Sequence, residues 1–550
     1  MHNRAIKIEP DDDLIVALVD LAAGTSVPCG GRSYVLREDV PAKHKFTARD
    51  LAAGQTVRMY GVVVGRTRHT ILTGQRITVE NLADAVQQPR LDRYGRSWQR
   101  PDVSRWAECT FLGYRREDGR VGTANYWIVA PLVFCENRNV LVLRDALREE
   151  LGYGRPHRYR PWVRRLIQAW RDGQRLDQIP PIQAEPKRAA PSGQRVFPHV
   201  DGIKFLPHGS GCGETYADTD TFCELLAQYI THPNVAGATV LSLGCQKAQI
   251  QRLEEAIHRW APRFNRPLYV FEQQRLGTES TLLEQAIRGT LAGLAQADGA
   301  RREPVPLSHL VLGTECGGSD GLSGLTANPA IGHCADLLVA LGGSVILSEF
   351  PELSSVQQDL IERCQRQESA QRFLELMRRY EARLAASGTG FHSNPSPGNI
   401  ADGLVTEAMK AAGAARKGGT SPVVDVLDYP EPVRRPGLNL LCTPGGDVES
   451  TTALAGSGAT VIAFSTGLGT PTGNPVTPVL KIASNSTLAR TMPDIIDLDA
   501  GPILSGQATV EGVGQQLLEL VIRTASGHYQ PKAVLLEQDD FMPWKRDVSL

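Results

Sequence analysis

The sequence has little net charge, no long apolar run and no leader-like start. Its 550 residues carry a formal charge of −1 at pH 7, so charge gives no reason to expect nucleic acid or an anionic membrane as a partner. No apolar run approaches the roughly 20 residues of a membrane span. The opening residues, MHNRAIKIEPDDD, lack the apolar core of a signal peptide. We therefore expect a cytoplasmic protein without nucleic-acid or membrane partners.

The sequence also lacks the motifs of disulfide scaffolds and of nucleotide sites. Ten cysteines are scattered without paired CxxC spacing, which favours free thiols, some of them possible metal ligands. No GxGxxG or Walker pattern lies between a predicted strand and a predicted helix, so we expect no nucleotide cofactor. A chain of this length is expected to form two or three domains rather than one core.

Four segments differ in composition. Residues 1–83 contain short alternating apolar runs between Gly and Pro turns, which predicts a small β-rich domain. Residues 84–107 are polar and predict a linker. Residues 108–200 form a middle segment with a Gly-rich hairpin, a buried strand, a basic helix and a Pro-rich insertion at 176–200. In residues 201–550 strands and helices alternate, which predicts an α/β domain with a mainly parallel sheet.

The central stretch of this last segment is GTECGGSDGLSGLTANPAIGHCADLLVALGGSVILSEFPE, residues 313–352. Together with the apolar residues before it, it predicts a strand, a loop, a helix and a second strand. These elements span residues 309–312, 316–321, 335–340 and 344–347. Because ligands of open α/β sheets bind outside the carboxyl ends of the strands, we expect the chemistry here.

Residues that can bind metals follow several predicted strands. The strands IKFLP, TVLSLG, LYVFE, HLVLG, SVILSE, LNLLCTP, TVIAFST and VLKIAS are followed by glycines and by thiol, carboxylate or imidazole side chains. The candidate metal ligands are Cys212, Cys245, Cys316, Asp320 and Glu349. Mixed thiolate and carboxylate ligands suit iron or zinc better than magnesium or calcium. An iron–sulfur cluster bound by the three cysteines stays open as an alternative, although their spacing fits no sequence signature.

Basic residues in the same segment offer groups for substrate binding or proton transfer. Lys410, Lys417 and Lys481, with Asn399, can bind a carboxylate or act as acid or base. Taken singly, each lysine is better explained as a surface residue.

These motifs resemble the altronate/galactarate dehydratase family, which also includes the sulfolactate sulfo-lyases. The resemblance covers nearly the whole chain and rests on GYRREDGRVGTANYW, CGGSDGLSGLTANPAIG, NPSPGN, SPVVDVL, GLNLLCTPGGD and FSTGLGTP. It implies an N-terminal SAF (β-clip) domain over residues 5–82 and a catalytic part, with a Rossmann-like sheet, over residues 108–540. It also implies dehydration of a sugar acid to a 2-keto-3-deoxy sugar acid, with iron(II) or manganese under reducing conditions.

Several residues match the family's motifs by position, and others depart from them. The matching positions are His44, His208, Cys212, Cys245, Cys316, Ser319, Asp320, Glu349 and Glu352. The departures are Lys43 for glycine, Gln246 for glutamate, Arg76 and Thr78 for histidines, Ile400 for lysine, Leu468 for arginine and Thr472 for tyrosine. Leu468 and Ile400 remove two cations that could bind carboxylates, since an aliphatic side chain cannot replace a guanidinium fork.

The resemblance therefore leads us to expect a metal-assisted β-elimination of water from an aldonate. D-altronate is favoured over galactarate because the loss of a basic residue fits a substrate with one carboxylate. Galactarate, sulfite elimination from sulfolactate, and sugar-acid binding without turnover stay open. We expect His44, His208 and Lys481 as catalytic groups, and Ser319, Asn399, Asp447 and Thr470 as substrate-binding groups. A homodimer is also expected.

Overall fold

The N-terminal part of the chain consists of short strands, as predicted. The computed structural model describes residues 4–85, 89–155, 159–181 and 194–549. The strands are β1 Ala5–Ile6, β2 Leu14–Ala17, β3 Ser26–Cys29, β4 Arg32–Val35, β5 Lys45–Thr47, β6 Thr56–Met59, β7 Val62–Thr67 and β8 Leu82–Ala83. They form the antiparallel sheets β1-β2-β5 and β6-β7-β8 and the hairpin β3-β4.

Strand β2 connects this small β unit to the rest of the protein. Side chains alternate across a strand, so its four apolar residues face two directions. Ile15 and Ala17 pack in a core of the small unit's own, whereas Leu14 and Val16 belong to the large core shared with the C-terminal part. The small unit is therefore held against the C-terminal part by apolar packing.

A four-stranded parallel sheet forms the middle of the chain, in the order β12-β11-β13-β14. Strands β11 and β13 are buried along their whole length, as central strands of a parallel sheet should be. The elements here are β9 Thr110–Arg115, β10 Val121–Gly122, β11 Tyr126–Pro131, α1 Asn137–Glu150, α2 Tyr159–Arg171, β12 Gly202–Phe205, α3 Tyr216–Ile230, β13 Val235–Ser242, α4 Ile250–Trp260, β14 Leu268–Glu272, α5 Gln273–Leu276 and α6 Glu279–Ala297.

A seven-stranded parallel sheet forms the C-terminal part, in the order β18-β19-β17-β16-β20-β21-β22. Strand β16 is the middle strand, so residues at its carboxyl end have neighbours on both sides. The elements are β15 Glu303–Pro306, β16 Val311–Cys316, α7 Ala327–Ala340, β17 Ser344–Leu347, α8 Gln357–Arg363, α9 Gln367–Ala386, α10 Pro397–Ala401, α11 Glu407–Ala415, β18 Val423–Leu427, β19 Gly437–Leu441, α12 Asp447–Gly456, β20 Val461–Thr466, β21 Val479–Ala483, α13 Ser486–Thr491, β22 Leu498–Asp499, α14 Val510–Ala525 and α15 Lys532–Leu535. Strand β15 pairs with β9 in a separate antiparallel sheet, β10-β9-β15.

The structure confirms the predicted fold class and changes several details. The eight strands predicted after residue 201 divide between the two parallel sheets, three in one and five in the other. Strand β16 continues through Cys316 instead of ending at Gly313, and helix α7 begins at Ala327, earlier than predicted. Of the Pro-rich insertion predicted at 176–200, residues 182–193 lie outside the described residues.

Hydrogen bonds hold the segment before the middle part to the C-terminal part. From residue 89 to 103 the described chain forms no helix or strand. Within this segment, Arg96 donates to Asp359 at 2.7 Å and Trp98 donates to Thr420 at 3.1 Å.

None of the helices in the described residues has the length and apolar character needed to cross a membrane.

Candidate active site

A buried triad of one thiol and two carboxylates lies at the carboxyl edge of the seven-stranded sheet. Cys316 is the last residue of β16, Glu349 follows β17, and Glu352 lies in the short 3-10 turn after it. One potential ligand atom of each residue lies within 4.8 Å of the others, and all three residues are buried. Glu349 has a φ of 66°, in the left-handed region, which turns the chain sharply after the strand. Adjacent strands of the sheet thus bring the triad together.

The ammonium group of Lys417 lies among the three triad residues. Its Nζ is 2.6 Å from Glu349 Oε2, 3.1 Å from Cys316 Sγ and 3.5 Å from Glu352 Oε2. Burial lowers the pKa of Lys417, but the three triad residues together raise it well above its usual value. A second ammonium, that of Lys410, lies 2.8 Å from Glu352 Oε1. The triad is therefore held by positive charge.

The two carboxyl groups of the triad have different pKa values. Burial and the neighbouring Glu352 carboxylate raise the pKa of Glu349 to about 7. Burial also raises the pKa of Glu352, but Lys410 and Lys417 outweigh it and lower the value to about 2. Burial and both glutamates raise the pKa of Cys316, which donates its thiol hydrogen to Glu352 Oε2 at 3.0 Å. The triad therefore contains an ionised carboxylate beside a neutral thiol.

Two carboxylate oxygens around the triad are buried without a hydrogen-bond partner in the described structure. They are Oε1 of Glu349 and Oε1 of Glu315, the residue before Cys316. The other oxygen of Glu315 accepts hydrogen bonds from Ser348 at 3.0 Å and Ser450 at 2.5 Å. Because an unsatisfied buried oxygen is costly, the free oxygen of Glu349 marks a place within the triad where a cation is favourable. Thiolate and carboxylate donors at this place suit a transition metal.

A glycine-rich loop connects the triad to a second polar group around Asp320. A methyl group at Gly317 would lie 2.1 Å from Asp447 Oδ2, so the loop passes directly against that carboxylate. Asp320 Oδ1 accepts hydrogen bonds from Ser323 and Ser484, both at 2.9 Å. Only glycine allows this close approach of backbone to side chain. The predicted loop residues therefore lie at one continuous polar edge.

A turn of the small β unit closes over this loop. We call its residues Lys43, His44 and Lys45 the lysine–histidine turn. Lys43 Nζ is 3.3 Å from Asp320 Oδ2 and 3.1 Å from Asp402 Oδ1. His44 Nε2 is 3.0 Å from the carbonyl oxygen of Ala401. The turn therefore brings three basic groups to the carboxylate-rich edge.

Burial sets the charge of this turn. His44 is half-buried, and its pKa is lowered chiefly by burial, which favours the neutral imidazole near pH 7. Lys45 is fully buried, donates to the carbonyl oxygen of Gly403 at 2.6 Å, and has its pKa lowered to about 7 by burial. The pKa of Lys45 thus lies in a range useful for proton transfer, and neutral His44 can accept a proton.

The structure places the other predicted substrate groups around the same edge. Asn399 Nδ2 donates to the carbonyl oxygen of Ser319 at 2.7 Å, so these two residues are in direct contact. Thr470 follows β20, the neighbour of β16. Lys481 is buried in β21 with its Nζ 3.4 Å from the centre of the Phe464 ring, and burial lowers its pKa to about 7. Their predicted roles stay predictions.

Three predicted site residues lie elsewhere. His208, Cys212 and Cys245 follow β12 and β13 of the four-stranded sheet, whereas Cys316, Asp320 and Glu349 belong to the seven-stranded sheet. The structure therefore does not gather the five predicted metal ligands into one group. Sequence reasoning assumed a single sheet, in which all these strand ends would be neighbours.

Other residues of this edge were not predicted as site residues. Glu352 was matched to a family motif but not assigned, and Lys410 and Lys417 were considered only as general basic groups. Glu315 and Lys45 were missed because each lies in a strand, where a charged residue normally faces solvent. The sequence feature that could have identified Lys417 is the glycine pair Gly418-Gly419 after it. These glycines allow the chain to pass close to Leu347 and Asp336.

Comparisons with known proteins give a consistent result along the whole chain. Residues 3–85 match the altronate/galactarate dehydratase SAF domain. Residues 113–298 match the second domain of D-galactarate dehydratase/altronate hydrolase, and residues 307–549 match the C-terminal D-galactarate/altronate dehydratase model.

Three curated proteins are similar over nearly their full lengths. Altronate dehydratase of Escherichia coli (strain K12) is 33% identical over 537 residues, covering 98% of this chain and 97% of that protein. Altronate dehydratase of Bacillus subtilis (strain 168) is 30% identical over 536 residues, with 98% and 97% covered. Galactarate dehydratase (L-threo-forming) of E. coli (strain K12) is 31% identical over 528 residues, with 95% and 92% covered.

Proposed function

This chain belongs to the altronate/galactarate dehydratase family of hydro-lyases, and on that premise we propose that it dehydrates an aldonate, with D-altronate as the favoured substrate. The product is a 2-keto-3-deoxy sugar acid. The observation that carries the proposal is the contact between the lysine–histidine turn and the loop Cys316–Asp320. This contact places the neutral imidazole of His44 and the ammonium groups of Lys43 and Lys45 at the same end of the sheet as the buried triad.

The basic groups near the loop support a substrate with one carboxylate. Leu468, whose backbone N–H donates to Gly318 at 2.9 Å, and Ile400, next to Asn399, replace two cations of the family's motifs. Lys43 introduces one ammonium group in place of a glycine, at 3.3 Å from Asp320. Relative to the family's motifs, the loop region thus lacks two cations and gains one, a net loss of one positive charge. An aldonate needs one fewer carboxylate partner than an aldarate.

The residues of the buried triad fit a metal ion such as iron(II) or manganese(II). The fit rests on the unpartnered oxygen of Glu349 and on the mixed thiol and carboxylate donors of the triad. Cys316, Glu349 and Glu352 would hold the ion, with Lys417 moving aside. A bound metal supplies Lewis acidity, which favours loss of the proton next to the substrate carboxylate.

Protein groups around the loop perform the proton transfers in this proposal. Neutral His44 removes the C2 proton of the substrate, and an ammonium group, Lys45 or Lys481, supplies the proton for the departing C3 hydroxyl. Asn399 and Ser319 orient the hydroxyl groups of the sugar chain. The small β unit excludes water from the loop and strengthens these electrostatic interactions.

A substrate panel tests the function. The full chain, loaded anaerobically with iron(II) and a reductant, is given aldonic and aldaric acids and sulfolactate, and 2-keto-3-deoxy product and sulfite are measured. We expect the fastest dehydration with D-altronate. Faster turnover of galactarate would refute the aldonate preference, sulfite release would indicate the sulfo-lyase reaction, and binding without turnover would indicate a sugar-acid binding protein.

A pair of histidine variants tests the base. His44→Gln keeps a polar side chain but cannot accept the C2 proton, so we expect kcat to fall by about 10²–10⁴-fold, the usual contribution of a general base. His69→Gln is the matched control, because His69 is an exposed histidine of the same unit. Equal kcat values in the two variants would remove His44 from the reaction.

Iron(II) as the preferred metal, a homodimeric state and a cytoplasmic location remain parts of the proposal. Metal content after anaerobic purification tests the first, and light scattering of the purified chain tests the second.

A further inference from the structure

Three cysteines lie in neighbouring loops at the carboxyl edge of the four-stranded sheet, apart from the site described above. Strands β12, β11 and β13 are adjacent and parallel, and Cys212, Cys135 and Cys245 lie in the loops that follow them. Adjacent strands are about 4.8 Å apart, so the three loops share one face. We call these three cysteines the thiol face.

Hydrogen bonds join the loops directly beside the cysteines. The N–H of Phe134 donates to Ser210 and the N–H of Ala248 donates to Gly211, both at 3.0 Å. Gly211 has a φ of 111°, and a methyl group there would lie 2.3 Å from the carbonyl oxygen of Leu132. The loops that carry Cys135 and Cys212 therefore pack backbone against backbone.

The cysteines themselves point toward solvent, unlike most cysteines of this chain. Cys135 and Cys245 are the two exposed cysteines among the ten, and Cys212 is half-buried. All three are free thiols. Since unpaired cysteines are usually among the most buried residues, three accessible thiols on one face need an explanation other than packing.

Buried polar side chains fix the backbone beneath the thiol face. His208 contacts the carbonyl oxygen of Pro131 at 2.7 Å through Nε2 and accepts the N–H of Ser210 at 3.0 Å through Nδ1. Burial lowers the pKa of His208 to about 4, so the imidazole is neutral near pH 7. The buried side chain of Gln246 accepts the N–H of Gly244 at 2.6 Å and donates to Ser242 Oγ at 2.7 Å.

The loops are thus rigid while their thiols are accessible, which is the arrangement of a preformed ligand site. Helices α1, α3 and α4 begin just after the three loops, so each loop is fixed between a strand and a helix. Loops fixed in this way favour binding of a ligand by all three sulfurs.

The spread of the sulfurs selects the kind of ligand. A single tetrahedral zinc ion bound at about 2.3 Å holds its sulfurs about 3.8 Å apart. In the described part of the chain, three ligand atoms come within 4.8 Å of one another only at Cys316, Glu349 and Glu352. The three sulfurs of the thiol face do not form such a group, so at least two of them lie more than 4.8 Å apart. This separation favours an iron–sulfur cluster, in which each cysteine binds a different iron, over a single ion.

We propose that Cys135, Cys212 and Cys245 bind an iron–sulfur cluster of the four-iron type, leaving one iron without a cysteine ligand. Cys316 has no part in it, since it lies in the other sheet. The site is separate from the buried triad, and the proposal does not depend on the proposed function.

The test is anaerobic reconstitution of the full chain with iron(III), sulfide and excess thiol, which reduces part of the iron. We expect about four acid-labile sulfide per chain, and about four iron in addition to any ion bound by the buried triad, with the visible absorption of a cluster. The variants Cys135→Ser, Cys212→Ser and Cys245→Ser should each lose the sulfide, while keeping the thermal midpoint of the metal-free chain. Cys29→Ser and Cys109→Ser, half-buried cysteines elsewhere, are matched controls that should keep it.

Two further measurements separate this site from the triad. Cys316→Ser should retain the sulfide, even where it loses a separately bound metal ion. Alkylation followed by mass spectrometry should label the thiol face in the metal-free chain and leave it protected after reconstitution. Absence of acid-labile sulfide, one zinc per chain bound by the same cysteines, or loss of sulfide in Cys316→Ser but not in Cys135→Ser would each overturn the proposal.

Discussion

Replacing Lys417 by methionine should make the metal-free protein much less stable and make it depend on a metal ion. Methionine has a similar volume, so the main change is loss of the ammonium group that lies 2.6 Å from Glu349 and 3.1 Å from Cys316. Removing one partner of a buried ion pair costs about 3–5 kcal/mol, because the other charge is left uncompensated. For a unit of some 150–250 residues, each kcal/mol lowers Tm by about 2–4 °C. The expected loss in chelator is therefore roughly 6–20 °C.

A divalent ion should recover most of this loss in Lys417→Met, since it can replace the missing positive charge. At a concentration one hundred times its Kd, a ligand stabilises the folded state by about 2.7 kcal/mol. The wild-type protein should gain less, because the ion must first displace the Lys417 ammonium group. The double variant Lys417→Met/Glu349→Gln should be more stable in chelator than Lys417→Met, because both charges of the pair are then removed.

The assay is thermal unfolding of the full chain, followed by circular dichroism, in EDTA and with manganese(II) under reducing conditions. Lys545→Met is the control, since Lys545 is an exposed lysine at the surface. The reasoning would be refuted if Lys417→Met melted within about 2 °C of the control in EDTA, a loss of less than roughly 1 kcal/mol. Equal stabilisation of both proteins by manganese would also refute competition between the ion and the ammonium group.

Three shorter predictions concern the lysine–histidine turn. Lys43→Gly should relieve the strain of a left-handed backbone (φ 73°) and therefore keep or raise Tm. It also removes an ammonium group near Asp320, so KM for the aldonate should rise about tenfold. Lys43→Met should raise KM in the same way but keep the strain. The pKa of Lys45 is about 7 in the folded chain, below its usual 10.5, so between these pH values the unfolded chain binds more protons. Stability should therefore rise with pH in this range, by at most about 1.4 kcal/mol per pH unit. Thermal midpoints of Lys45→Met from about pH 7 to 10 should show a smaller rise than those of the wild type, and an unchanged slope would contradict the burial of Lys45. Because burial lowers the pKa of His44 and a base must be neutral, kcat/KM should fall on the acid side only below the usual histidine value, and an acid limb above that value would exclude His44.

Local patterns made the elements of the fold predictable. Strand β17 was predicted at its observed bounds, because Ser344–Leu347 is a short apolar run between Gly343 and a polar residue. The basic helix of the middle segment, α2 Tyr159–Arg171, followed from apolar residues at helical spacing. The division of the strands between two sheets was not predictable in this way, since pairing between distant strands leaves no periodic signal in either strand.

The same limit explains what was predicted of the site. Cys316 and Glu349 were recognised because glycines and polar residues follow buried strands there. Lys417 lies far along the chain in a 3-10 turn, and its position in the triad depends on the chain around Gly418 packing against Leu347 of β17. Cys135 lies near the end of β11, but placing its loop beside those of Cys212 and Cys245 required the order of three strands, which only the structure gives.

Lys43 combines a strained backbone position in the small unit with two ion pairs near the proposed substrate site. The family's motif has glycine here, and the observed φ of 73° is the conformation in which glycine has little steric cost and lysine has more. A lysine at such a position must contribute something that offsets this cost, and its two ion pairs, with Asp320 and Asp402, lie where the small unit meets the catalytic loop. The motif resemblance places cations at positions 400 and 468, and both positions belong to the same region, since Asn399 contacts Ser319 and Leu468 contacts Gly318. On that resemblance, this chain has positive charge on the small unit instead of on the sheet side of the loop. We therefore expect substrate recognition to depend on the contact between the small unit and the loop.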